Sequence, residues 1–134
     1  MSKMVLKWAL IALVAAATPA LGRAQNLEVR AFHVVANGRV AALKDWTCWF
    51  GPPGCKYAPC HMRTVQEPSL GVLRPKAHPG TIPERGGVCA GKPITMLDLI
   101  YTPRRGAHGT DSIVLETHSD NGLAHRIEIT VDVP

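Results

Sequence analysis

"DSIVLETHSDNGLAHRIEITVDVP", residues 111–134, is the stretch on which the fold reading turns. Within it His125, Ile127, Ile129, Val131 and Val133 alternate with Ala124, Arg126, Glu128, Thr130 and Asp132. A period of two sends one set to a core and the other to water, the pattern of a half-buried strand. The segment before it is rich in β-branched and apolar residues, and Asn121-Gly122 between the two is the strongest short hairpin signal. The expectation is a hairpin of strands over 111–119 and 123–133.

Working outward, a second Asn-Gly pair, Asn37-Gly38, separates "LEVRAFHVVA" (27–36) from "RVAAL" (39–43) and predicts another hairpin, with a short helix over "RVAALKDW" as the alternative. The middle of the chain holds "MRTVQEP", "GVLRP" and "ITMLDLIYTP", each short and each closed by a turn residue. The 11 prolines and 12 glycines fall mostly between these runs, which leaves no room for long helices. The stretch 74–91, "RPKAHPGTIPERGGVCAG", reads as a long irregular loop of the kind that often carries binding. About seven short strands in this length predict an all-β, two-sheet antiparallel sandwich.

The first two dozen residues have the zones of an export signal. Lys3 and Lys7 precede an apolar run from Trp8 to Ala17, and "TPALGRAQ" supplies small residues for cleavage. That run is about ten residues, short of the roughly eighteen that a membrane-spanning helix needs. The expected division is a signal peptide over 1–24, cut after Ala24 or else after Gly22, and one domain over 25–134. Cleavage removes Lys3, Lys7 and Arg23 and no acid, so the whole-chain charge of +5 falls by those three to +2. With no basic stripe interleaved with aromatics, nucleic acid is a poor partner.

Cys48, Cys55, Cys60 and Cys89 all follow the signal, and an even count in an exported chain favours disulfides. A structural zinc site brings paired ligands two to four residues apart, whereas here the gaps are six and four, with a solitary Cys89. "CKYAPCH" has four residues between its thiols where haem attachment takes two. No metal and no cofactor is therefore expected. Of the three possible pairings, the one favoured is Cys48–Cys89 with Cys55–Cys60, which would tie the cysteine loop to the strand leading into Tyr101.

"YTPRRGAHGTD", residues 101–111, followed by a strand, a Gly turn and a closing strand, resembles the bacterial immunoglobulin-like and cadherin-like modules of surface proteins. Tyr101, Pro103, Gly106, Gly109 and Asp111 fill the places of that motif, and "EPSLGVL" (67–73) weakly resembles the turn and strand that precede it. The resemblance implies an immunoglobulin-like sandwich standing alone and secreted, with those five residues building a corner between sheets. Pro103 ends a ladder, the glycines permit unusual backbone angles, and Asp111 accepts bonds from loop amides.

Six aromatic residues follow the signal, and four of them, Trp46, Trp49, Phe50 and Tyr57, lie within the cysteine loop. That clustering makes the loop the candidate binding surface, with one tryptophan expected to pack on a disulfide and the other to face outward. His118 and His125, on strands joined by the Asn121-Gly122 turn, are expected to be solvated or half-buried strand histidines, with a facing pair that binds a metal or senses acid as the alternative. Ser69, Ser112 and Ser119 lack a nucleophile-elbow setting and no Gly-rich phosphate loop opens a helix, so catalysis is not expected. The functional expectation is a periplasmic or extracellular, non-catalytic module that binds a protein or envelope component through 46–61 or 74–91. The alternative is a small copper or zinc binder drawing on the cysteines, His61, His78 and Met62.

Overall fold

A computed structural model describes residues 27–134, so the expected signal peptide lies outside the described residues. The strands are β1 (Glu28–Val35), β2 (Val40–Trp46), β3 (Cys60–Gln66), β4 (Gly71–Thr81), β5 (Pro93–Pro103), β6 (Gly109–Ser119) and β7 (Ala124–Val133). A kinked 3₁₀ turn, Glu84–Cys89, sits between β4 and β5. They form an all-β sandwich of a four-stranded sheet, β1-β7-β6-β3, and a three-stranded sheet, β2-β5-β4.

The period-two run does what its pattern dictates. His125, Ile127, Ile129, Val131 and Val133 are all buried, and β7 pairs with β6 in antiparallel register from His118↔Ala124 to Gly109↔Val133. Their apolar side chains meet Leu99 and Tyr101 of β5 and Ala42 and Leu43 of β2 to fill the space between sheets. A smaller cluster, Ile82, Cys89 and Ile94, lies apart from this core, with Trp49, Cys55 and Met96 packed on it.

Three sequence expectations are corrected. Asn37-Gly38 does turn the chain, with Gly38 at φ 130°, but β1 and β2 enter different sheets and make no hairpin. β1 instead pairs with β7, and in parallel, from Glu28↔His125 to Val35↔Asp132, so the sandwich is not wholly antiparallel. The strand expected after Asn37-Gly38 is present as β2, and the alternative short helix over "RVAALKDW" is not formed. The expected loop over 74–91 is strand as far as Thr81, because β4 is an edge strand. Pro75 and Pro79 are an even number of residues apart, so their missing N–H groups fall on the same side of β4, away from β5, where no ladder bond is lost.

The disulfides are Cys48–Cys60 and Cys55–Cys89, not the expected Cys48–Cys89 and Cys55–Cys60. A local ladder explains the first. Trp49 bridges Tyr57 in antiparallel fashion, Phe50 N–H donates to Lys56 O at 2.8 Å, and Ala58 N–H donates to Cys48 O at 3.0 Å. The chain from 48 to 58 therefore folds back on itself, bringing Cys48 to the start of β3 and leaving Cys55 near the tip, where it reaches Cys89. Two disulfides in a chain of this size belong to an oxidising, extracytoplasmic compartment. Among the described residues no helix is long and apolar enough to cross a membrane.

Candidate functional site

The cysteine loop and the segment after β4 meet at one end of the sandwich. The Cys55–Cys89 bond joins them covalently, and the Arg85 guanidinium lies 5.4 Å from the centre of the Trp49 ring, close enough for a cation–π contact. The two stretches expected as separate binding loops are thus one unit.

Between this unit and the ends of β1, β2 and β7 lies a cleft of about 420 Å³. Trp46 and Trp49 line it, with Arg30, Arg85, Glu28 and His125. Both tryptophans are half-buried, Trp46 against the main core and Trp49 against the small cluster, so neither is the outward-facing residue the sequence led one to expect. His125 meets Trp46 edge-on, with ring centres 5.6 Å apart at 88°, and its Nε2 lies 3.3 Å from Glu28 Oε2. Asn121 Nδ2 donates to Trp49 O at 2.8 Å, pinning the β6–β7 turn to the cysteine loop. Trp46 Nε1 is buried without a hydrogen-bond partner among the described residues. An indole N–H can only donate, and leaving it unpaired carries a desolvation cost of about 1–3 kcal/mol.

Phe50 and Tyr57 do not line the cleft, although both remain substantially exposed, at 41% and 37%. The aromatic loop is therefore two surfaces: a lined cleft at Trp46 and Trp49, and an outer face at Phe50. Arg30 and Glu28 are absent from the sequence-based site because they are single charges far from it in the chain, and Arg85, though inside the 74–91 candidate stretch, carried no signal of its own. His125 carried a usable signal, since the alternation of β7 puts it on the inward face at the rim of the core.

Of the turn motif, Tyr101 and Asp111 meet directly. The Asp111 carboxylate accepts bonds from Tyr101 Oη (2.7 Å), Ser69 N–H (2.8 Å), Leu70 N–H (2.8 Å) and Ser112 N–H (3.0 Å). Burial alone would push this carboxyl's pKa up; the Ser69 amide, the Tyr101 hydroxyl and the other two amides outweigh it, and the pKa lies below the usual value. Burial, then the adjoining carboxylate, pushes the Tyr101 phenol up. Gly106 and Gly109 have φ of 79° and 120°, as the corner requires, and Pro103 ends β5.

The histidines are dispersed. His118 and His125 do not face each other: in the β6–β7 ladder His125 stands opposite Thr117, and His118 opposite Ala124. His118 is instead paired across β3 with His61, their rings stacked at 5.1 Å. All four cysteines are in disulfides, so none is a thiolate ligand, which removes the cysteines from the metal-binding alternative. His78 sits with Asp45 and Asp98 where β2, β5 and β4 run side by side. The bonds from Asp98 and from the Pro79 carbonyl raise the His78 pKa, while the Asp45 amide, opposed by burial and aided by His78, lowers that of Asp98.

No family model, curated protein or solved structure matches this chain.

Proposed function

We propose that this chain is an exported, non-catalytic binding module of immunoglobulin-like type that takes a protein or cell-envelope component in the Trp46–Trp49 cleft, in the periplasm or outside the cell. The observation that carries the reading is the cleft itself. Two half-buried indoles, one with an unpaired buried N–H, face two arginines and a glutamate across a space of about 420 Å³. Aromatic and arginine side chains dominate binding energy at protein surfaces, because they bring large contact area and directed donors at low entropic cost.

The non-catalytic part is supported by how the cleft's reactive groups are engaged. Cys48 is oxidised, and His125 is held between Trp46 and Glu28. The immunoglobulin-like part is supported by strand grouping. Strands two, five and four share one sheet and seven, six and three the other, which is how that sandwich is divided. The first strand departs from the constant-domain arrangement by joining β7. The N-terminal zones of residues 1–24 and the disulfides support export.

The test is a pulldown from envelope extract with the oxidised wild-type protein and with Trp49→Ala and Arg85→Ala, followed by titration of the recovered component into wild type with intrinsic tryptophan fluorescence as readout. The reading expects one component lost with both variants and a saturable emission change. Equal recovery by all three proteins removes the cleft from the account.

A further inference from the structure

Three donor atoms from three adjacent strands converge outside any disulfide. His78 Nε2 of β4 lies 3.2 Å from Asp45 Oδ1 of β2 and 3.1 Å from Asp98 Oδ1 of β5. The other ring nitrogen, Nδ1, lies 3.1 Å from the carbonyl oxygen of Pro79. A carbonyl only accepts, so Nδ1 carries the hydrogen of the neutral ring, and Nε2 is then a lone pair aimed at two carboxylate oxygens. Three acceptors facing one another hold together only around a positive species, which is either a proton or a metal ion.

We propose that Asp45, His78 and Asp98 bind a divalent first-row transition ion, with Zn²⁺ as the representative. Tetrahedral Zn²⁺ with bonds of about 2.0–2.1 Å sets its ligand atoms roughly 3.3–3.4 Å apart, and the two measured separations are already within a few tenths of an ångström of that. The surroundings are those of a ligand set held in place. A backbone carbonyl fixes the tautomer of the histidine, and the Asp45 N–H donates to Asp98 Oδ1 at 2.8 Å, as outer partners orient ligands in metal sites. One imidazole with two carboxylates suits a borderline ion rather than Ca²⁺, which takes six to eight oxygens. Asp98 is well shielded and Asp45 open, so the ion's remaining positions face solvent on the Asp45 side. Asp45 also lines the tryptophan cleft, so the ion would stand at its rim. The proposal does not depend on the cleft's being a binding site.

The test is calorimetric titration of the oxidised protein with ZnCl₂, with CaCl₂ as comparison, on wild type, Asp45→Asn, His78→Gln and a His61→Gln/His118→Gln control. Asp45 has φ 53°, a conformation asparagine tolerates well, so Asp45→Asn removes a charge without disturbing the backbone. Expected is one saturable Zn²⁺ site, no comparable Ca²⁺ site, affinity lowered by about tenfold or more in Asp45→Asn and His78→Gln, and no loss in the control. In wild type, ring-nitrogen NMR should move His78 Nε2 on Zn²⁺ addition, a readout independent of how the variants fold. No saturable binding, binding that follows His61 and His118, or an unmoved His78 Nε2 overturns the proposal.

Discussion

Tyr101 Oη donates to Asp111 Oδ2 at 2.7 Å inside a fold that leaves Asp111 1% exposed. A buried carboxylate survives there only because the Ser69, Leu70 and Ser112 amides also point at it. Asp111→Ala should cost about 3 kcal/mol or more, by stranding several donors, and Tyr101→Phe about half of that, since the amides remain. Urea unfolding measures both; equal losses would contradict this division.

Acid sensitivity follows from the same group. The folded-state pKa of Asp111 lies below the unfolded value of about 3.9, so its contribution is complete above that value and is lost as pH falls through the folded pKa. Asp98, held by the Asp45 amide, and Asp132, held by His33, act in the same window. Stability should therefore drop below about pH 4, and the drop should be shallower in Asp111→Asn. A parallel decline in the two proteins would exclude Asp111 as a contributor.

Gly71 and Gly80 both sit in β4 with no room for a methyl group, yet they should respond differently. A Cβ at Gly71 meets the Tyr101 ring at 2.5 Å and the Thr102 carbonyl at 2.7 Å, neither of which can move. At Gly80 the obstacle is Met96 Sδ, the end of a flexible side chain. Gly71→Ala should cost about 2–3 kcal/mol and Gly80→Ala about 1 kcal/mol or less, read from thermal unfolding.

The two disulfides close loops of different length, with sequence separations of 12 and 34. On the chain-entropy model the shorter stabilises by about 3 kcal/mol and the longer by about 4 kcal/mol. Paired serine replacement of Cys55 and Cys89 should therefore lower stability more than replacement of Cys48 and Cys60. It should also expose Trp49, which packs on that cluster, seen as a red shift in its fluorescence.

The C-terminal hairpin was legible because its information is local: strict alternation and an Asn-Gly turn join neighbours in sequence. β1 and β2 were legible as strands but not in their pairing, because β1 finds its partner in β7, nearly a hundred residues on, and its outward residues carry no clean period. The start of β4 was legible in "GVLRP", but the rest was hidden by Pro75, Pro79 and Gly80, which argue against a central strand and say nothing against an edge. The aromatic cluster was visible in composition, but its division into a cleft and an outer face depends on the fold-back at Trp49–Tyr57 and on Arg85, whose approach no spacing rule anticipates. The turn motif identified Asp111 and Tyr101, but not that both serve one buried carboxylate network.

The cleft exists because the cysteine loop and the 84–89 turn are welded into one floor beneath the tryptophans. Digesting the unreduced protein with trypsin and chymotrypsin cuts between Cys48 and Cys55 and again between Cys55 and Cys60, so mass spectrometry of the linked peptides reads the pairing. The account predicts a Cys48 peptide bound to the Cys60 peptide and a Cys55 peptide bound to the Cys89 peptide. Cys48 linked to Cys89, Cys55 linked to Cys60, or free thiols would contradict it.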